Sequence, residues 1–338
     1  MPSSLLPAVD PIVANIENVL PQALEWSRAG ERICLATMVH VAGSAPRPLG
    51  SQMAIAGNGE YYGYLSGGCA ERAIADVGLA AVRSNGPRVA RFGVGSPYLD
   101  VQLPCGSGID VHYALEPRVD VLEATIQRLS ERQVAAIDID PRSGLMTRGG
   151  AAPRSVSCYR RHYYPLIHLI VVGAGPVAIE LARLGAVQGF AVTLVSPDEV
   201  TLQAAGAARE MHLRDARQLD ALAVDAHTAV VTAFHEHDRE LAVWERCAPT
   251  SAFYLGALGS RRSHDERCRA LAERSVDADA IARIHGPAGL ATGGKTAVEI
   301  ALSIVAELRA VYRGCALPDL EWGGGALTDE PPQFATGG

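Results

Sequence analysis

The sequence predicts an α/β protein with an N-terminal mixed α/β domain and a C-terminal Rossmann-like domain, a doubly wound parallel sheet. Three observations carry this. From Leu166 onward, apolar runs alternate with helix-like stretches, as in strands joined by crossover helices. One of those runs, VVGAGPVAIELARLG, sets Gly173-x-Gly175-x-x-Ala178 between a strand and a helix. Ahead of residue 118 the pattern is instead strand-rich runs, a hairpin signal and isolated helices.

In chain order, residues 11–28 show helical periodicity, and RICLATMVHVAG (32–43) is rich in strand formers. SQMAIAGNGEYYGYL (51–65) reads as a hairpin turning at Gly57-Asn58-Gly59. Residues 69–83 read as a helix closed by the turn signal at 84–87, and RVARFGV and IDVHYAL read as two further strands. This bounds a first domain at 1–118. Residues 119–165 read as a connecting region, with a helix (119–133), a small hairpin (135–150) and the polar, aromatic CYRRHYYPL. The Rossmann-like domain spans 166–316, with strands in LIHLIVVGAG, FAVTLVS, TAVVTAF and AFYLGALG and a last helix over 296–313. The Gly/Pro-rich residues 317–338 read as a flexible tail.

Composition narrows the function. The 338 residues are 48% hydrophobic, enough for a sizeable packed core. A net charge of -7 with no basic run argues against a nucleic-acid partner. The most apolar stretch carries Glu180 and Arg183 and is cut by glycines, so it reads as a buried βαβ unit and not as a membrane span. The first residues lack the basic and apolar regions of a signal peptide. Seven cysteines at wide spacing, with no C-x-x-C, fit a reducing cytoplasm.

Several stretches carry chemistry. Gly173 and Gly175 fit the dinucleotide fingerprint, the second glycine letting backbone approach a pyrophosphate. The strand that should end in a ribose-binding acid ends in Ser196-Pro197, with Asp198 two positions late, which weakens an NAD(P) reading. Gly289 to Thr296 matches the P-loop pattern, but a helix and turn precede it where a strand is required; Lys295 and the amides there remain candidates to grip a phosphate. GYLSGGCAE places Cys69 after Ser66, Gly67 and Gly68 at a strand-to-helix junction. In the first turn of the helix its thiol would be acidified and able to attack, carry sulfur or bind a soft metal; packed inward it is a small hydrophobe. Cys105, in a Pro/Gly turn, is either a second such thiol or a buried turn residue. His235 and His237 follow a strand and fit helix capping, a metal or ligand contact. Arg261 at a helix start and Arg47 between two prolines are candidate anion contacts.

Together, GSAPRPLGSQM, GYLSGGCAE, PCGSGIDV, VVGAGPVAIELARL, TAFHEHDREL, YLGALGSRR and IHGPAGLATGGKTAVEIALSIVAEL resemble the XdhC/CoxI family, the xanthine dehydrogenase accessory proteins. The resemblance covers about residues 30 to 313. It implies a maturation chaperone, not a turnover enzyme, that binds molybdenum cofactor in its molybdopterin or dinucleotide form. It further implies protection of the cofactor during sulfuration by a cysteine desulfurase and delivery to a molybdenum hydroxylase, with the chaperone a homodimer. Cys69, and with it Cys105, become the sulfur or molybdenum contacts by motif match. The alternative is an NAD(P)-dependent oxidoreductase using the Rossmann crevice.

Overall fold

The computed structural model describes residues 18–44, 47–84, 88–97, 103, 106–150, 158–207, 209–234, 237–316 and 319–322, the side chains of 237, 238 and 322 excepted. The chain divides into two compact units, Met1–Pro165 with Leu317–Gly338, and Leu166–Ala316.

The first unit opens with α1 (Leu20–Arg28), β1 (Ile33–Ala42), β2 (Gln52–Ala56), β3 (Tyr61–Gly63), α2 (Glu71–Ser84), β4 (Val89–Gly93) and β5 (Gly108–Leu115). Its strands form a five-stranded sheet in the order β3-β2-β1-β5-β4, each neighbouring pair antiparallel. Central β1 is apolar almost throughout because both its faces are covered. Cys34, Ala36 and Met38 pack with Ile74, Ala75 and Val82 of α2, while Ile33, Leu35 and Val39 enter a second cluster with Leu20 and Leu24 of α1. A register shift between Met38 and His40 sets His40 opposite Asp110 of β5.

Next come α3 (Val119–Ser130), β6 (Ala135–Ile139), β7 (Met146–Arg148) and β8 (Tyr159–Tyr163). The region expected to be a connector is part of the first unit. It supplies β6, β7 and β8 to a four-stranded sheet whose fourth strand, β15 (Leu320–Trp322), lies in the expected tail. The charges that made these residues look like a linker are satisfied across the strands. Arg160 bonds Asp138 through two nitrogens, at 2.6 and 2.7 Å, and Arg161 lies 3.5 Å from Asp319.

The second unit holds β9 (His168–Gly173), α4 (Pro176–Val187), β10 (Ala191–Ser196), α5 (Glu199–Ala205), β11 (Arg209–His212), β12 (Thr228–Ala233), α6 (His237–Cys247), β13 (Tyr254–Ala257), α7 (Arg261–Glu273), α8 (Ala278–Ala282), β14 (Ile284–His285) and α9 (Ala297–Cys315). The sheet is parallel, ordered β11-β10-β9-β12-β13-β14. Counted within the unit this is 3-2-1-4-5-6, the Rossmann order. Among the described residues, no helix is long and apolar enough to cross a membrane.

One buried pair ties the two sheets of the first unit together. The Tyr159 hydroxyl of β8 donates to Nδ1 of His112 on β5, and His112 Nε2 donates to the Pro141 carbonyl at 3.2 Å. Burial drops the His112 pKa from 6.5 to about 4. The unfolded chain therefore binds a proton that the folded chain refuses between those values. Stability is full above about pH 6.5 and falls as the pH drops towards 4, by about 3 kcal/mol in all. Denaturant titrations from pH 7.5 to 4.5 should show this slope in the wild type and lose it in His112→Asn, whatever the variant's baseline.

Candidate functional site

Antiparallel pairing places three connections at one end of the five-stranded sheet. Gly63 at the end of β3 pairs with Met53 near the start of β2, and Ala42 and Gly93, ending β1 and β4, both pair with Gly108 at the start of β5. The β1–β2 loop with Arg47, the β3–α2 loop with Ser66 to Cys69, and the β4–β5 loop thus leave the same end. A Cβ on Gly43 would sit 3.5 Å from the Ser107 Cβ, so the first and third of these connections pack together. Leu65 and Ala70, which bracket the thiol loop, share a core cluster with Leu103 and Ile109. Cys105 lies outside the described residues.

The thiol loop is folded around one carboxylate. Glu71 Oε1 accepts from the amides of Leu65 (3.0 Å) and Ser66 (2.7 Å), and Oε2 from the Ser66 hydroxyl (2.6 Å) and the Gly68 amide (2.8 Å). Ser66 Oγ in turn accepts from the Ala70 amide at 2.7 Å. Glu71 is 3% exposed. Burial pushes its pKa up, but the bonds from Ser66, its own amide and Leu65 outweigh that and hold it below the usual carboxylate range. Gly67 and Gly68 have φ of +79° and +111°, which side-chain-bearing residues adopt only under strain.

Cys69 is exposed on the outside of this turn. It stands two residues ahead of the first residue of α2, so the expectation that it opens the helix is corrected: Glu71 takes that position, and its carboxylate takes the loop amides. Next to it, Gly68 has open space where a Cβ would lie, with no neighbour within 4 Å. Two exposed large side chains lie in the connections at this end, Tyr64 (43%) in the thiol loop and Val94 (61%) after β4. An exposed thiol flanked by side-chain-free backbone lets a bulky group approach the sulfur.

Beneath this end, sequence reading missed a buried polar row. Arg91 of β4 forks onto Asp110 at 2.7 Å through both nitrogens, and His40 Nδ1 lies 3.2 Å from the same carboxylate. The bond to Asp110 raises the Arg91 pKa.

In the second unit the parallel sheet gathers the remaining candidates at its C-terminal edge, where open α/β sheets bind ligands. Gly173 lies against β12 so closely that a Cβ would collide with the Ala233 carbonyl. Gly175, at φ +88°, precedes α4. Its amide donates to Thr201 Oγ1 at 3.0 Å, and that hydroxyl donates to Asp198 at 2.5 Å. Asp198 also accepts from the amides of Val200 and Thr201 as the cap of α5, and the Thr201 hydroxyl foremost lowers its pKa. Ser196 is fully buried and accepts from the Asp198 amide at 3.1 Å. Asp198, the first acid after β10, is therefore spent on α5.

Lys295 is exposed, but its amide and that of Thr296 donate to Glu299 Oε2 at 3.1 and 3.0 Å, closing a capping box. The T-x-x-E spacing of that box was readable in the sequence. Arg261 is exposed as the first residue of α7. His237 opens α6, while its side chain and His235 lie outside the described residues. Among the described residues, no three His, Cys, Asp or Glu side chains are grouped to hold a metal ion.

Fold and site thus define a class: an α/β protein that joins an antiparallel domain bearing a glycine-borne thiol to a Rossmann domain. Residues 26–93 match the XdhC and CoxI family, and residues 169–308 match the XdhC Rossmann domain. The molybdenum cofactor insertion chaperone PaoD of Escherichia coli (strain K12) is 31% identical over 297 residues, 87% of each chain. A Bacillus subtilis (strain 168) protein described as a probable xanthine dehydrogenase component is 25% identical, covering 88% of this chain and 97% of that one. A crystal structure described as a xanthine dehydrogenase from Bacillus halodurans shares the fold, with a TM-score of 0.69 at 20% identity over 88% of this chain and 96% of that one. The chain belongs to the XdhC/CoxI family.

Glu71→Gln tests the loop's construction. The amide presents donors to donors, so at pH 7 the variant should be less stable by about 1–3 kcal/mol. Because the folded Glu71 pKa is lowered, the wild-type advantage is present above the ordinary value of 4.5 and shrinks as the pH falls through the lower folded value. Paired denaturant titrations at pH 7 and below pH 4.5 check both parts.

Proposed function

We propose that the protein is a maturation chaperone for a molybdenum hydroxylase. It receives molybdenum cofactor as its cargo, shields it during sulfuration by a cysteine desulfurase, and hands it to the client. One observation carries this reading: an exposed cysteine that follows two glycines on a loop held by Glu71, in a chain 31% identical to a molybdenum cofactor insertion chaperone over 87% of its length. The cargo supplies a soft metal centre suited to a thiolate. The chain's own part is positional. Glu71 fixes the loop, Gly67 and Gly68 keep it free of side chains, and Cys69 presents its sulfur. Arg47 stands in a neighbouring loop as a candidate contact for the anionic end.

Nicotinamide chemistry finds no support at β10, where Asp198 is engaged in capping α5. The wide-spaced thiols, unpaired among the described residues, fit a reducing cytoplasm.

Purified from cells that make molybdopterin, the wild type should carry pterin, seen as fluorescence after oxidation. Cys69→Ser should unfold at the same denaturant midpoint yet retain at least tenfold less pterin and activate the client correspondingly less. Normal retention by the serine variant would reduce Cys69 to a surface residue. NADH and NADPH should give no saturable fluorescence change with the wild type.

A further inference from the structure

We infer that two copies of this chain meet through the outer face of α9, packed antiparallel about Ala306. α9 already buries one face: Ala301, Ile304, Val305 and Leu308 belong to a core cluster of the second unit. A helix seated this way ordinarily turns polar and charged side chains outward. On α9 the outer face is instead apolar at its middle. Leu302 is 57% and Val298 52% exposed, Ala310 is exposed and Ala306 is half-buried. With about 3.6 residues per turn, Glu299 and Arg313 lie nearly in line with Ala306, one towards each end, and Leu302 and Ala310 flank that line on either side. From the first turn to the last the seam therefore reads acid, leucine, alanine, alanine, base. Glu299 and Arg313 are both exposed.

That seam complements itself when reversed. With a two-fold axis at Ala306, Leu302 of one copy packs beside Ala310 of the other, so a large side chain meets a small one on both sides of the axis. Ala306 meets its own counterpart, and two methyl side chains let the helix axes approach to about 8 Å. Val298 stands one turn from Leu302 and adds apolar surface at the rim. Glu299 of each copy lies opposite Arg313 of the other. Its Oε2 already accepts from the amides of Lys295 and Thr296 and from the Thr296 hydroxyl, which leaves Oε1 to accept from that arginine. A parallel pair would set acid against acid and base against base, so charge selects the antiparallel arrangement. A seam of about four helical turns buries less than the ~1,200–2,000 Å² of a standard interface, so the dimer is reversible, with a Kd on the order of micromolar. The inference stands on the surface of α9 alone and holds whether or not the chain carries molybdenum cofactor.

Sedimentation velocity of the full chain, at concentrations on the order of 1 to 100 μM so as to bracket that Kd, should show a monomer–dimer equilibrium. Leu302→Glu should weaken the dimer at least tenfold, because it carries a charge into the middle of the seam. The side chain it replaces is exposed, so the unfolding midpoint at monomer concentrations should not move. Arg313→Glu should weaken the dimer about fivefold at low salt and less at high salt, because it sets two acids opposite each other. In a Cys69→Ser, Cys315→Ser background, Ala306→Cys should give a disulfide-linked dimer on air oxidation, since a residue on the two-fold axis meets itself. Val187→Cys, 80% exposed at the end of α4, should not. A monomer throughout that range, a dimer indifferent to Leu302→Glu or to Arg313→Glu, or one that Ala306→Cys does not lock, overturns the inference.

Discussion

Burying a carboxylate is costly unless donors surround it, and around Glu71 the chain supplies four, from Leu65, Ser66 and Gly68. To bring the amides of Leu65, Ser66 and Gly68 onto one side chain the backbone must curl through two positive-φ positions, which glycine alone fills without strain. Ser66, Gly67, Gly68 and Glu71 are therefore one mechanical unit, and Cys69 is what that unit displays. A loop held this way loses little conformational freedom when something docks on it, so binding energy is not drained into ordering the site.

The same device recurs in the second unit. Glu299 takes the amides of Lys295 and Thr296, and Asp198 takes those of Val200 and Thr201. In each case the backbone N–H groups that could cradle a ligand's phosphate already hold a carboxylate of the protein. An incoming anion would have to displace that carboxylate and meet its charge. The P-loop pattern at 289–296 therefore has the letters of a phosphate cradle without its vacant donors. Likewise, the hydroxyl of Thr201 accepts from the Gly175 amide, one of the groups a Rossmann turn directs toward a pyrophosphate.

Much of this was legible in the sequence where the signal is local. The Rossmann sheet announces itself through the strand–Gly173-x-Gly175–helix junction, and the hairpin through Gly57-Asn58-Gly59, because each constraint lies within a few residues. What escaped is non-local. β15 pairs with β8 across about 160 residues, and neither strand is apolar enough to stand out; Arg160 and Arg161 look like linker residues until Asp138 and Asp319 are seen opposite them. The start of α2 was misplaced by two residues for a different, local reason. Cys69 and Ala70 are acceptable in a helix, but the Glu71 carboxylate turns back onto Leu65, Ser66 and Gly68, and the helix begins at Glu71. The role of Glu71 itself is spaced five residues from Ser66, outside the three-residue capping-box template that reveals Thr296 and Glu299.

Why three loops that look unrelated in sequence belong to one site follows from sheet order. In an antiparallel sheet, connections alternate between the two ends, so the loops after β1, β3 and β4 need not share one. They do here because α2 carries the chain from β3 back across the sheet to begin β4 at the opposite end. Removing that crossover would reverse β4 and send the β4–β5 connection to the other end of the sheet. The helix that follows the thiol thus also decides which connections share its end of the sheet, and the Glu71 carboxylate that begins this helix holds the loop that displays the sulfur.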